Sequence, residues 1–328
     1  MEQRELEQEV EAFRRKWRSS TESITAFTSG STGDPKPIRL RKQYMRASAE
    51  ATIHYLDLQP GHRALLALSP RYIAGMMMLV RAEVGGLELH LSPPAAQPIP
   101  PAETFDLAAL VPYQAAHSRL QLSQIKNLLI GGGPLSASLE HDLRKHPGAV
   151  YHTYGMTETI THVALRQINR PEGAHYFTAM PGVQFKVDSR QCLIIDAPLL
   201  GVKELRTHDV VEWLSPERFR WLGRIDHVVN SGGLKLFPER LEQELGVLSR
   251  PYFFAGIPHP QLGQQLILVA EAPSQAGREL AREVRLATAS WPAFHRPKQI
   301  WHASGFSYTT SGKIRRAASL AVAKPYKV

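Results

Sequence analysis

The chain has 328 residues, 43% hydrophobic and 21% charged, the balance of a soluble globular protein with room for one large domain and a smaller one. Its single cysteine, Cys192, excludes an intrachain disulfide and a thiolate metal cluster, and the apolar run Cys192-Leu193-Ile194-Ile195 suits a small core residue. With 39 basic against 30 acidic side chains the net charge is +9, but the basic residues are scattered and form no zinc-finger, basic-zipper or helix-turn-helix pattern, so small anionic substrates are expected rather than nucleic acid.

Residues 2–18 read as a charged amphipathic helix, with Leu6, Val10, Phe13 and Trp17 at helical spacing, and not as a signal peptide. A short strand over 23–27 leads into Thr28-Ser29-Gly30-Ser31-Thr32-Gly33-Asp34-Pro35-Lys36. Hydroxyls and glycines at that density suit a loop that curls around phosphate, although a solvated turn has the same composition. A helix is expected over 43–56, an apolar strand over 64–68 and an apolar helix over 73–85. The longest apolar run, 73–80, stops at Arg81 and is too short to cross a bilayer. No stable membrane insertion is therefore expected, and the lone cysteine fits the cytoplasm. After a proline-rich connector over 92–101, buried strands at 108–111 and 128–130 alternate with helices, which indicates a parallel α/β sheet. Beyond about residue 165 short strands at 185–187, 193–195, 210–213 and 219–221 indicate a small β-rich subdomain. From 226 onward an α+β module follows.

Several segments can carry chemistry. Gly131, Gly132, Gly133 and Pro134 end an apolar strand, where a glycine run serves either a tight turn or the close approach of backbone to a ligand. In Tyr151-His152-Thr153-Tyr154-Gly155-Met156-Thr157-Glu158-Thr159 an aromatic, a glycine turn and a hydroxyl–carboxylate pair suit a nucleotide with its metal. Asp209 can accept both hydrogens of a ribose diol, and Arg224 can bind a hydroxyl or phosphate. Lys313, in Thr310-Ser311-Gly312-Lys313-Ile314-Arg315-Arg316, sits on a glycine-flanked turn beside a basic tail, where a lysine taken alone is usually solvated.

The segment from Thr28 to Lys36 resembles the phosphate loop of the acyl-adenylating (AMP-forming) ligase superfamily, and the later segments resemble that superfamily's remaining motifs in the same order. The resemblance covers the chain from about Ala26 to Arg316. It implies an α/β fold: a truncated adenylate-forming domain over 1–225, with a parallel sheet and a small β-rich subdomain, and a smaller mobile α+β domain over 226–328. It further implies ATP, Mg2+ and coenzyme A as cofactors. Thr28, Ser29, Gly30, Ser31, Thr32, Gly33 and Lys36 would hold phosphates, and Gly131 to Pro134 with Gly155 would border adenine and the acyl group. Tyr154 would stack on adenine, Thr157 contact phosphate, Glu158 bind magnesium, and Asp209 and Arg224 hold the ribose. Asp226 would be the hinge, Gly232, Gly233 and Lys235 would meet the thiol tunnel, and Lys313 would be the catalytic lysine. His208 stands where the family has glycine, which is tolerable if φ there is negative.

Only 27 residues precede Thr28, so most of one N-terminal subdomain of the longer relatives is expected to be missing. This compact form, with the segments Ala74–Arg81 and Gly155–His162, resembles the short o-succinylbenzoate–CoA ligases of menaquinone biosynthesis. The substrate so implied keeps a second carboxylate away from the reacting one, and burying that charge calls for a pocket cation. Arg81 is either that cation or a surface arginine pairing with Glu83 or Glu88, with Arg71 as a second candidate. Another acid–CoA ligase, an adenylation enzyme loading a carrier protein, and a non-catalytic nucleotide-binding remnant are the alternatives.

Overall fold

The computed structural model describes residues 1–27, 36–170, 175–309 and 314–326. Helix α1 (Gln3–Arg18) buries Leu6, Val10, Phe13 and Trp17 as one stripe, as the spacing predicts. Its charged flanks are tied down by ion pairs, Arg14 and Arg18 to Glu83, and Glu5 and Glu9 to Arg71. Strand β1 (Ser23–Phe27) is present but lies outside the main sheet. It pairs with β2 (Pro37–Arg41) as a separate antiparallel hairpin, with Phe27 opposite Pro37. The described ends of the 28–35 segment are therefore neighbours.

The first large unit continues through α2 (Lys42–Tyr55), β3 (Arg63–Leu66), α3 (Ile73–Gly85), β4 (Glu88–Leu91), β5 (Phe105–Leu110), α4 (Pro112–His117), β6 (Ile125–Ile130), α5 (Ala137–Leu143), β7 (Ala149–Gly155) and β8 (His162–Gln167). Strands β4, β3, β5, β6 and β7 run parallel, and both sheet faces are covered. Along β6, Leu129 enters one core while Leu128 and Ile130 enter the other, which explains the uninterrupted apolar run in the sequence. Strand β4 was not expected, because Glu88-Leu89-His90-Leu91 is a short, polar edge.

The β-rich part comprises β9 (Phe177–Ala179), β10 (Gln184–Val187), β11 (Cys192–Ala197), β12 (Val202–Ser215) and β13 (Arg218–Arg224). It is not a separate sheet. β8 pairs with β7 and β9, and β9 with β13, so eleven strands form one continuous sheet. Cys192 is buried in its core, as expected.

A second sheet of six strands follows, built from β14 (Val229–Ser231), β15 (Leu234–Leu236), α6 (Pro238–Leu245), β16 (Tyr252–His259), β17 (Gly263–Glu271), α7 (Gly277–Ala287), β18 (Gln299–Ala303), α8 (Arg316–Val322) and β19 (Lys324–Pro325). Phe253 and Phe254 alternate between its two apolar cores. Among the described residues no helix is long and apolar enough to cross a membrane.

Candidate active site

A cavity of about 420 Å3 opens at the carboxyl ends of β5, β6 and β7, where open parallel sheets take their ligands. Glycines shape one wall. Gly131 has no room for a side chain, since a Cβ there would collide with Thr153 Oγ1, and at Gly155 it would collide with the Thr161 carbonyl. Gly132 adopts φ +82°, the left-handed region that glycine enters freely. Phe27, the last described residue before Thr28, also lines the cavity.

Thr157 and Glu158 also line the cavity, in a single 3-10 turn over Thr157–Thr159. Thr159 Oγ1 accepts from the Met156 amide at 3.0 Å and braces the start of that turn. The next residue, Ile160, has φ +67° and ψ −54°, and the Thr161 amide donates to the Thr159 carbonyl at 2.7 Å. That is a γ-turn of the strained hand, unexpected for a β-branched residue. It turns Thr161 so that its hydroxyl meets Arg81.

Arg81 is the most unusual group in the cavity. It is 2% exposed, on an apolar helix, yet no carboxylate among the described residues pairs with it. Its Nη2 donates to Thr161 Oγ1 at 3.0 Å, its Nη1 meets only Met78 Sδ at 3.7 Å, and its Nε is buried without a partner. Burial brings its pKa down to about 10, so it remains cationic at neutral pH. The surface reading of Arg81 is overturned, since Glu83 is taken by Arg14 and Arg18 and Glu88 by His90. Arg71 is excluded as a pocket cation by its pairing with Glu5 and Glu9 on the surface. Beside Arg81, His162 donates from Nε2 to Thr52 Oγ1 (3.1 Å), because the Thr52 hydroxyl itself donates to the Ser48 carbonyl. Burial, and then the Arg81 charge, hold His162 well below its ordinary pKa, so it adds no second positive charge.

A second cluster lies on the neighbouring strands. Tyr154 donates its hydroxyl to Asp209 Oδ2 at 2.6 Å, and Trp221 Nε1 donates to Asp209 Oδ1 at 3.1 Å. The Tyr154 ring packs edge-on against Phe219, and burial followed by the Asp209 charge raises its pKa well above the ordinary value. Each Asp209 oxygen keeps a free lone pair for a further donor. Asp209 faces Arg224 in the β12–β13 register, and Arg224 donates to Asp226 at 3.0 Å. His208 also pairs with Asp226, at 2.9 Å, and lies within extended β12, outside the positive-φ residues. Its replacement of glycine is thus accommodated. Asp226 occupies the 3-10 turn Ile225–His227 between the last strand of one sheet and the first of the next.

The structure does not bring every expected residue to the cavity. Gly232 (φ +57°) and Gly233 (φ +82°) form the β14–β15 turn and Lys235 is exposed on β15, all on the second sheet and none on the cavity wall. Gly133 and Pro134 lie just past the wall, with the Gly133 carbonyl turned to His152. Lys36 is exposed ahead of β2. Thr28, Ser29, Gly30, Ser31, Thr32, Gly33 and Lys313 lie outside the described residues. Among the described residues no group of three or more acidic, histidine or cysteine side chains is arranged to hold a metal ion. The donor set, one carboxylate from Glu158 beside the Thr157 hydroxyl, fits magnesium, which commonly takes one carboxylate plus phosphate oxygens and water. Sequence reasoning missed Thr161, His162 and Trp221 as site residues.

The sequence model describing AMP-binding enzymes matches residues 15–193, more than half of the chain. The chain belongs to the AMP-binding enzyme family. A 2-succinylbenzoate–CoA ligase of Enterococcus faecalis is 23% identical over 91% of this chain and 69% of its own length. Among solved structures, an AMP-forming acyl-CoA synthetase/AMP-acid ligase II-like protein of Dyadobacter fermentans is 33% identical, with 98% of this chain and 95% of that one covered at a TM-score of 0.64. An o-succinylbenzoate coenzyme A synthetase of Bacillus subtilis in complex with AMP shares the fold at a TM-score of 0.77 and 18% identity, covering 93% and 70% of the two chains. The α/β fold of this AMP-binding enzyme is thus that of adenylate-forming ligases.

Proposed function

We propose that this chain is an AMP-forming acid–CoA ligase acting in the cytoplasm, with o-succinylbenzoate as its acid. The observation that carries the substrate is Arg81, a buried cation without a carboxylate partner, in the same cavity as the glycine edge and Glu158. A dicarboxylate with one carboxyl at the α-phosphate and the other at Arg81 satisfies both ends of the cavity. The Bacillus and Enterococcus ligases named for this substrate support the choice.

In the proposed reaction a substrate carboxylate oxygen attacks the α-phosphorus of ATP and pyrophosphate leaves. The CoA thiol, having lost its proton to solvent, then attacks the acyl carbon and AMP leaves. The chain's own part is positioning and charge compensation. Thr28 to Lys36 cradle phosphates, Tyr154 with the glycine edge receives adenine, Asp209 and Arg224 hold the ribose, and Lys313 reaches the carboxylate and α-phosphate. Glu158 would hold Mg2+, which neutralises phosphate charge. Two domains, 1–225 and 226–328, reorient about Asp226 between half-reactions, bringing Gly232, Gly233 and Lys235 to the CoA side. A panel of acids offered with CoA and with carrier protein, read by pyrophosphate release and product mass, tests the proposal. No turnover of o-succinylbenzoate, or transfer to carrier protein alone, overturns it.

Glu158→Gln is expected to lower magnesium-dependent turnover strongly, because an amide oxygen carries no net charge for the cation. Raising magnesium should recover part of the loss, and near-normal rates at low magnesium would remove the metal role. At the hinge, Asp226→Pro fixes φ near −65° and also removes the carboxylate that joins His208 and Arg224. Asp226→Asn removes only the charge. Thioester formation should fall much more than adenylation in the proline variant and little in the asparagine variant. Single-turnover assays of each half-reaction check this, and a proline variant as active as wild type would move the pivot elsewhere.

A further inference from the structure

Beside the glycine edge lies a partly buried polar chain that touches no substrate in the proposed reaction. His152 on β7 stands directly opposite Arg166 on β8. Its Nε2 lies 3.1 Å from the Gly133 carbonyl. A carbonyl only accepts, so Nε2 carries the hydrogen and Nδ1 is bare. Nδ1 in turn faces Arg166 Nη2 at 3.4 Å, a donor that only an unprotonated nitrogen can receive. Both neighbours therefore select the same tautomer.

Arg166 is itself fixed. Glu140 accepts from Nη1 at 3.1 Å and from Nη2 at 2.7 Å, and both side chains are buried. Arg144 adds a third bond to Glu140, and Gln243 of α6 reaches the same carboxylate at 3.4 Å. Glu140 belongs to α5, whose N-cap Ser136 closes the loop that begins at Gly131. Phe177 packs on the imidazole at 5.3 Å. Burial, and then the Arg166 charge, bring the His152 pKa down to about 4, which agrees with a neutral ring.

We propose that His152 is the positioning residue of the nucleotide-facing glycine edge: its Nε2 hydrogen fixes the Gly133 carbonyl, and the Glu140–Arg166 pair fixes His152. Gly131 and Gly132 line the cavity, and Gly132 adopts φ +82° directly before Gly133. Without the His152 bond the Gly133 carbonyl loses this donor and the wall loses its set position. The inference rests on the reading of this wall as the adenine edge.

Glutamine keeps a donor at the ε position toward Gly133, whereas leucine fills the space with no polar atom. Calorimetry with AMP is expected to give His152→Gln within about two-fold of wild type and His152→Leu about ten-fold weaker. KM for ATP should rise by the same factor in the leucine variant. Should His152→Leu not fold, His152→Asn, whose amide is too short for Gly133, is expected to show the same loss. Wild-type AMP affinity in the leucine or asparagine variant overturns the proposal, and so does an equal loss in glutamine and leucine variants, which would make His152 a space-filler. Wild-type protein that binds no AMP overturns the adenine reading itself, a distinct result.

Discussion

Lys313→Ala is expected to abolish adenylate formation while thioester formation from a supplied acyl-adenylate stays near the wild-type rate. Lys313 lies outside the described residues, but the chain on either side of its segment is firmly held. Tyr308 and Ile314 form an antiparallel bridge, and the Arg315 amide donates to the Ser307 carbonyl at 2.8 Å. Arg316 is clamped to Glu242 at 2.8 Å, with burial opposing and the Glu242 charge favouring its cationic form. In the proposed reaction Lys313 compensates the phosphate charge that develops as pyrophosphate leaves. Losing one such preorganised group typically slows the step by about 10²–10³-fold. In the proposed cycle the lysine is withdrawn before the thiol attacks, so the second half-reaction should not register its loss. Pyrophosphate release measures the first step, and CoA-thioester formed from synthetic adenylate measures the second. A folded variant that loses both equally would detach Lys313 from the adenylation step.

What the sequence disclosed, and what it hid, follows from the range of the interactions. The α1 stripe of Leu6, Val10, Phe13 and Trp17 and the apolar runs of β5 and β6 are local patterns, and they fold as those patterns dictate. The motif glycines were equally legible, because a Cβ would meet the Thr153 hydroxyl at Gly131 and the Thr161 carbonyl at Gly155. Contacts fixed by strand register were not. Nothing near His152 in the chain announces Arg166, which faces it only once β7 and β8 pair. Trp221 reaches Asp209 across the β12–β13 hairpin, where the register shifts between Val210 and Val211. The turn at Ile160 runs against local preference altogether, since glycine would be the expected residue at φ +67°. The surface pairing left open for Arg81 was likewise closed by tertiary structure, because α1 supplies the arginines that occupy Glu83.

The same isolation of Arg81 makes its removal the sharpest test of substrate. Arg81→Ala should leave ATP binding intact and raise KM for o-succinylbenzoate. Truncating one partner of a desolvated charge pair costs roughly 2–5 kcal/mol, or about thirty-fold to several thousand-fold in affinity. An analogue lacking the second carboxylate should barely respond, having never used the guanidinium. Stability supplies an independent sign. A buried charge without a counter-ion disfavours the folded state, and an apolar replacement of similar length removes that penalty. Arg81→Met is therefore expected to raise Tm while it weakens selection of the dicarboxylate. A structural arginine would give the reverse, a lower Tm and equal losses on both acids, because Thr161 and the γ-turn beneath it would lose their only described side-chain link to α3. Wild-type and variant enzymes compared on both acids, with melting curves for each, separate the two outcomes. Unchanged discrimination between the acids in Arg81→Ala would leave the second carboxylate without a partner in this cavity and remove the assignment to o-succinylbenzoate.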